Sequence, residues 1–125
     1  MLIVCEEYKF LLSSYSGLRQ DARVGRIEVT TSGDEALTLA TSYHPDLVVF
    51  DATAGYGFGL ATVRRLRDAN PGIDIVVTMG DRCPADVASR AMESGAVGVL
   101  TRKSFSADAC LRLAGEPEIT RPRYD

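Results

Sequence analysis

Pro45-Asp46-Leu47-Val48-Val49-Phe50-Asp51 sets four apolar residues in a row and ends them in a carboxylate. A short run of this kind, rich in β-branched and aromatic residues, reads as a strand buried on both faces, the kind found in parallel α/β sheets. In such sheets ligands and chemistry lie just beyond the carboxyl ends of the strands. Asp51 is therefore placed either to act or to cap the turn that follows. The glycine-rich sequence from Ala52 to Gly59 provides that turn.

Working outward, strand and helix patterns alternate along the chain. Leu2 to Cys5 is a short apolar strand followed by Glu6 and Glu7. Phe10, Leu11, Tyr15, Leu18 and Ala22 recur at three- and four-residue spacing, which predicts an amphipathic helix. Ile27 and Val29 alternate with polar residues, as in an edge strand. Ser32-Gly33-Asp34-Glu35 starts a second helix with acids in its first turn. Ala36, Leu37, Ala40 and Tyr43 form its inner face, and Pro45 ends it.

Beyond the central strand, Gly59 opens a third helix, with Leu60, Val63 and Leu66 inward and Arg64, Arg65 and Arg67 on a solvated face. Asn70-Pro71-Gly72 stops it. Ile73 to Thr78 is a fourth strand. Pro84 suits the first turn of a fourth helix, which carries Val87, Ala88, Ala91 and Met92 on one side, with Ala91 and Met92 read as core. Gly95 is its expected C′ residue. Val97 to Thr101 is the fifth strand, and Ser106 caps a short last helix with Ala107, Cys110, Leu111 and Ala114 inward. Five βα units imply a parallel sheet covered on both faces, and the doubly wound, flavodoxin-like order 2-1-3-4-5 is the arrangement expected. Residues 1–114 form one domain. Residues 115–125, with two prolines and no periodicity, read as a tail or linker toward an output domain.

Composition narrows the function classes. The 125 residues fit one domain of the commonest size. A hydrophobic share of 46% with 25% charged residues is that of a soluble globular protein. A net charge of -3 and a pI near 5.1 argue against a nucleic-acid-binding surface made by this domain alone. No apolar run approaches the roughly 20 residues of a membrane span, and no basic leader precedes Leu2. Cys5, Cys83 and Cys110 form neither a zinc pattern nor an even disulfide set, which suits a reducing cytoplasm. His44 reads as a surface residue at a helix end.

Polar residues collect at the strand ends. They are Glu6 and Glu7 after the first strand, Asp51 after the third, Thr78 after the fourth, and Arg102 and Lys103 after the fifth. In the order 2-1-3-4-5 these strands lie side by side, so the groups converge on one edge. Clustered carboxylates repel unless a cation joins them. Mg²⁺ is held by one or two carboxylates with waters and phosphate oxygens. An Asp can also attack phosphorus, and a hydroxyl and a cation can then bind the phosphoryl oxygens.

Over residues 1–114 the chain resembles the receiver domains of bacterial response regulators. The segments that carry the resemblance include Gly33-Asp34-Glu35-Ala36-Leu37, the central strand, Ile75-Val76-Val77-Thr78, Ala91-Met92-Glu93-Ser94-Gly95-Ala96 and Gly98-Val99-Leu100-Thr101. The resemblance implies that Asp51 is the phosphoacceptor and Thr78 the switch hydroxyl. It also implies that Arg102 and Lys103 face the phosphoryl group. Mg²⁺ would lie among Glu6, Asp51 and the backbone carbonyl of Thr53. No catalytic residue of an enzyme is implied. Implied partners are a histidine kinase or small phosphodonor, an output domain that controls transcription, and a second copy docked through the fourth helix, fifth strand and fifth helix. No nucleic acid or membrane is expected as a direct partner.

Several positions depart from the family pattern. Cys5 replaces one carboxylate of the usual acidic pair, and Glu6 is one methylene longer than Asp. Arg102 replaces Lys, a change that is not conservative. Met79 stands where a small residue is usual, Ala54-Gly55 replaces Met-Pro, and Val99 replaces an aromatic switch reporter. These departures favour an atypical, phosphorylation-independent receiver. The alternative is a phospho-Asp switch with an altered pocket. A haloacid-dehalogenase-like phosphatase also ends a strand in a nucleophilic Asp, but Thr53 stands where that family has its second Asp. The Asp-x-His-x-x-Gly motif of a cobalamin-binding module is absent.

Overall fold

The computed structural model describes residues 1–52, 56–81 and 85–114. The strands are β1 (Leu2–Val4), β2 (Glu28–Thr30), β3 (Leu47–Asp51), β4 (Asp74–Met79) and β5 (Gly98–Thr101). They alternate with helices α1 (Tyr8–Arg19), α2 (Gly33–Tyr43), α3 (Tyr56–Ala69), α4 (Ala85–Ser94) and α5 (Ala107–Leu113). All strand pairs are parallel and the order is β2-β1-β3-β4-β5, as expected.

Side chains on a strand point alternately to opposite faces, and here that alternation divides the core in two. Leu2, Val4, Val48, Phe50, Ile75 and Val77 join the inner faces of α2, α3 and α4. Ile3, Cys5, Leu47, Val49 and Val76 face the other way, onto Phe10, Leu11 and Leu18 of α1 and Cys110 of α5. The central strand is buried on both faces because each parity has its own helical cover.

The helix ends follow local chemistry. Ser32 accepts from the backbone N–H of Glu35 at the start of α2, and Ser106 from that of Ala109 at the start of α5. His44, exposed and left-handed at φ 51°, closes α2. At the end of α4, Gly95 has φ +117°. Its N–H donates to Met92 O and that of Ala96 to Ala91 O, both at 3.1 Å, the two bonds of a Schellman stop.

Four expectations change. Helix α3 begins at Tyr56, not Gly59. Gly59 lies inside the helix, where a Cβ would come within 3.2 Å of the Phe50 ring, so its role is close helix-to-strand packing. Helix α1 ends at Arg19, and Ala22 falls in the turn beyond it. Met92 is 49% exposed, so it does not belong to the core. The arginine face of α3 is not simply solvated: Arg64 donates to Glu93 O and Arg67 to Gly95 O, each at 3.1 Å, tying α3 to the carboxyl end of α4. The readings on Thr53, Ala54-Gly55, Cys83, Pro84 and the 115–125 tail lie outside the described residues.

Candidate functional site

Strand register builds the pocket. Asp51 pairs with Thr78 across β3 and β4, and Thr78 with Leu100 across β4 and β5. Asp51 has the parity of Val49, Thr78 that of Val76, and Cys5 that of Ile3, so all three side chains turn toward the α1 and α5 face. Two residues past Leu100, Arg102 has the same parity. The backbone keeps the register at the rim: Ala52 N–H donates to Thr78 O and Arg102 N–H to Met79 O, both at 2.8 Å.

At the centre, the Asp51 side chain is only 2% exposed. The Thr78 hydroxyl donates to Asp51 Oδ1 at 2.8 Å. Arg102 forks onto the same carboxylate, with Nη2 at 2.6 Å from Oδ2 and Nε at 3.3 Å from Oδ1. The Cys5 thiol lies 3.7 Å from Oδ2 and donates at the shorter distance of 3.3 Å to Glu7 O. A carboxylate offers about four lone-pair sites, and the Thr78 and Arg102 donors between them serve both oxygens.

A second carboxylate stands on the far side of Arg102. Glu7 Oε2 is 3.7 Å from Nη1. Glu7 is also the N-cap of α1, accepting from Lys9 N–H at 3.1 Å and Phe10 N–H at 2.7 Å. The guanidinium lies over the Phe10 ring at 5.1 Å, and Phe10 meets Phe105 edge to face at 5.4 Å.

The charges follow from these contacts. The Phe10 N–H, then Lys9 N–H and Arg102, hold the Glu7 carboxyl below its usual range. The hydrogen bond from Arg102 to Asp51 raises the guanidinium pKa further. Burial first, and then the Asp51 charge, push the Cys5 thiol up to about 12, so it is neutral.

Of the residues singled out in the sequence, Asp51, Thr78 and Arg102 meet. Glu6 and Lys103 are exposed. Thr53 lies outside the described residues. Among the described residues no group of three His, Cys, Asp or Glu side chains is placed to hold a metal ion. Glu7, grouped with Glu6 among the acids that follow the first strand, reaches the site through Arg102, whereas Phe10 was not singled out as a site residue. Nothing in the sequence marked Phe10 beyond its place on the inner stripe of α1. Among the described residues no helix is long and apolar enough to cross a membrane.

A protein-glutamate methylesterase/protein-glutamine glutaminase 4 of Geobacter metallireducens is 34% identical over 104 residues, 82% of this chain and 30% of that protein. A counterpart from Halalkalibacterium halodurans is 32% identical over 71% of this chain and 26% of its own length. The chain thus spans about a third or less of the curated relatives it matches. Among solved structures, the receiver domain of NtrX from Brucella abortus aligns with a TM-score of 0.78 at 22% identity, covering 96% of this chain and 98% of that one. A Burkholderia pseudomallei response regulator solved with a phosphorylated aspartic acid, calcium ion and citrate gives 0.77 at 23% identity, over 99% of this chain and 73% of that one. These two likenesses carry the fold alone. The family model for the response regulator receiver domain matches residues 2–113, and the chain belongs to that family.

Proposed function

We propose that this receiver signals by protein contact without taking a phosphoryl group on Asp51, and that it passes its state to an output domain, linked or separate, that controls transcription. One observation supports the reading above the others: both Asp51 oxygens are already bound by donors of the chain itself. A phosphoryl group approaching either oxygen competes with the donor already held there. A hydrogen bond to a charged group contributes about 1.5–3 kcal/mol, which sets the scale of that competition. The docking surface on this reading is the α4, β5 and α5 face of a cytoplasmic homodimer, where the half-exposed Met92 is an apolar side chain open to contact.

The alternative is a phospho-Asp switch fed by a histidine kinase or small phosphodonor. Its supporting observation is the Thr78 hydroxyl, already 2.8 Å from Asp51 and able to bind a phosphoryl oxygen. Phosphorylation there adds about 1.5 to 2 negative charges. Incubation with Mg²⁺ and acetyl phosphate separates the two. Transfer moves the phosphoryl group from acetate to an Asp51 oxygen and releases acetate. The expected intact mass is unchanged, and beryllofluoride leaves the spectrum of the pocket unaltered. A gain of one phosphoryl group that Asp51→Asn abolishes establishes the switch instead. The curated relatives are methylesterases, so an enzymatic output domain is the competing partner, told apart by the domain that copurifies with the receiver.

A further inference from the structure

We infer that the Arg102 guanidinium is the resident cation of this pocket, filling the place of a divalent ion, and that the wild-type pocket therefore takes no Mg²⁺. Arg102 is held as a metal would be, between two carboxylates, Asp51 on one side and Glu7 on the other. The ring of Phe10 supports it from below.

Among the described residues the remaining donor set does not fit Mg²⁺. That ion needs an oxygen octahedron at about 2.0–2.1 Å and tolerates little distortion. Each Asp51 oxygen already carries a guanidinium nitrogen. The Glu7 oxygens cap α1. Cys5 presents sulfur, a soft atom poorly matched to a hard cation. Glu6 is exposed. An added ion would also set a second cation beside Arg102 against one buried carboxylate. The pocket's charge is thus set by the chain and does not vary with metal concentration.

Charge filling by Arg102 and the lack of phosphorylation at Asp51 share the pocket but fail separately. The test is a Mn²⁺ titration of the full chain, read as amide line broadening at Asp51, Ala52 and Thr78. Wild type is expected to show no saturable broadening. Arg102→Gln is expected to gain it, and Asp51→Asn added to that variant is expected to remove it. Saturable binding by wild type, or no gain in Arg102→Gln, overturns the inference. Should Arg102→Gln fail to fold, Arg102→Lys serves: a point charge cannot fork across both oxygens, so one is freed and weak Mn²⁺ broadening is expected, while behaviour identical to wild type overturns. Wild type that binds Mn²⁺ but takes no phosphoryl group sinks only the cation assignment. Phosphorylation from acetyl phosphate in the presence of EDTA sinks only the functional reading.

Discussion

Asp51 and Arg102 fix the sign of a substitution at the residue scale. In a pocket of unpaired acids, replacing Asp by Asn relieves repulsion and stabilises the fold. Here the carboxylate is the counter-ion of a side chain only 24% exposed. Asp51→Asn keeps the shape and the Thr78 contact but leaves the guanidinium short of its partner. The expected loss is about 1–3 kcal/mol, below the value for a fully buried pair because Arg102 keeps part of its surface in water. Urea denaturation without metal checks it, and a raised midpoint contradicts the pairing. Much of this was legible in the sequence: a run of β-branched residues ending in Asp, and a hydroxyl and a cation at neighbouring strand ends. The choice between Arg102 and Lys103 was not made there, because it depends on where the last residue of β5 leaves the pleat. Register supplies that, through the pairing of Thr78 with Leu100.

At the scale of elements, the stop of α4 shows how a backbone requirement and a packing requirement meet. Gly95 is left-handed, and a Cβ there would lie 2.9 Å from Arg67 Cγ. Gly95→Ala is expected to cost about 1–2 kcal/mol from the backbone alone, and it also pushes Arg67 away from the carbonyl it donates to. Thermal unfolding measures the loss, and an unchanged midpoint contradicts the left-handed assignment. Gly95 was readable because glycine at a C′ position follows from local geometry. The start of α3 was not, since glycine reads as a boundary although Gly59 is used for its small size against Phe50. Met92 misled for a related reason: helical spacing gives a stripe but not its width, and α4 buries Val87 and Ala91 while leaving Met92 outside.

Across the whole molecule, the sheet carries unequal covers. Helices α2, α3 and α4 cover one face, while α1 and the seven-residue α5 cover the other. The smaller cover is reinforced by charge. Arg23, in the turn after α1, binds Asp21 at 2.7 Å and reaches Asp108 on α5 at 3.2 Å. The Arg23 hydrogen bond brings the Asp21 carboxyl down from 3.8 to about 2. Because the folded-state value is the lower one, the stabilisation is complete above the unfolded value and is lost as pH falls through about 2. Asp21→Asn is therefore expected to lower stability near neutral pH by up to about 1 kcal/mol and to converge on wild type in strong acid. Unfolding midpoints across the acid range test this, and a constant gap refutes it. The order of strands was legible because five βα units leave few right-handed arrangements. The Arg23 clamp was not, because it joins residues 85 positions apart through a turn without periodicity.

The grip of Arg64 and Arg67 on the end of α4 has a mechanical consequence. With its Ser94 end tethered to α3 in this way, the helix has its greater freedom of displacement toward Asp86, so a substitution that removes either arginine is expected to loosen the Ser94 end first.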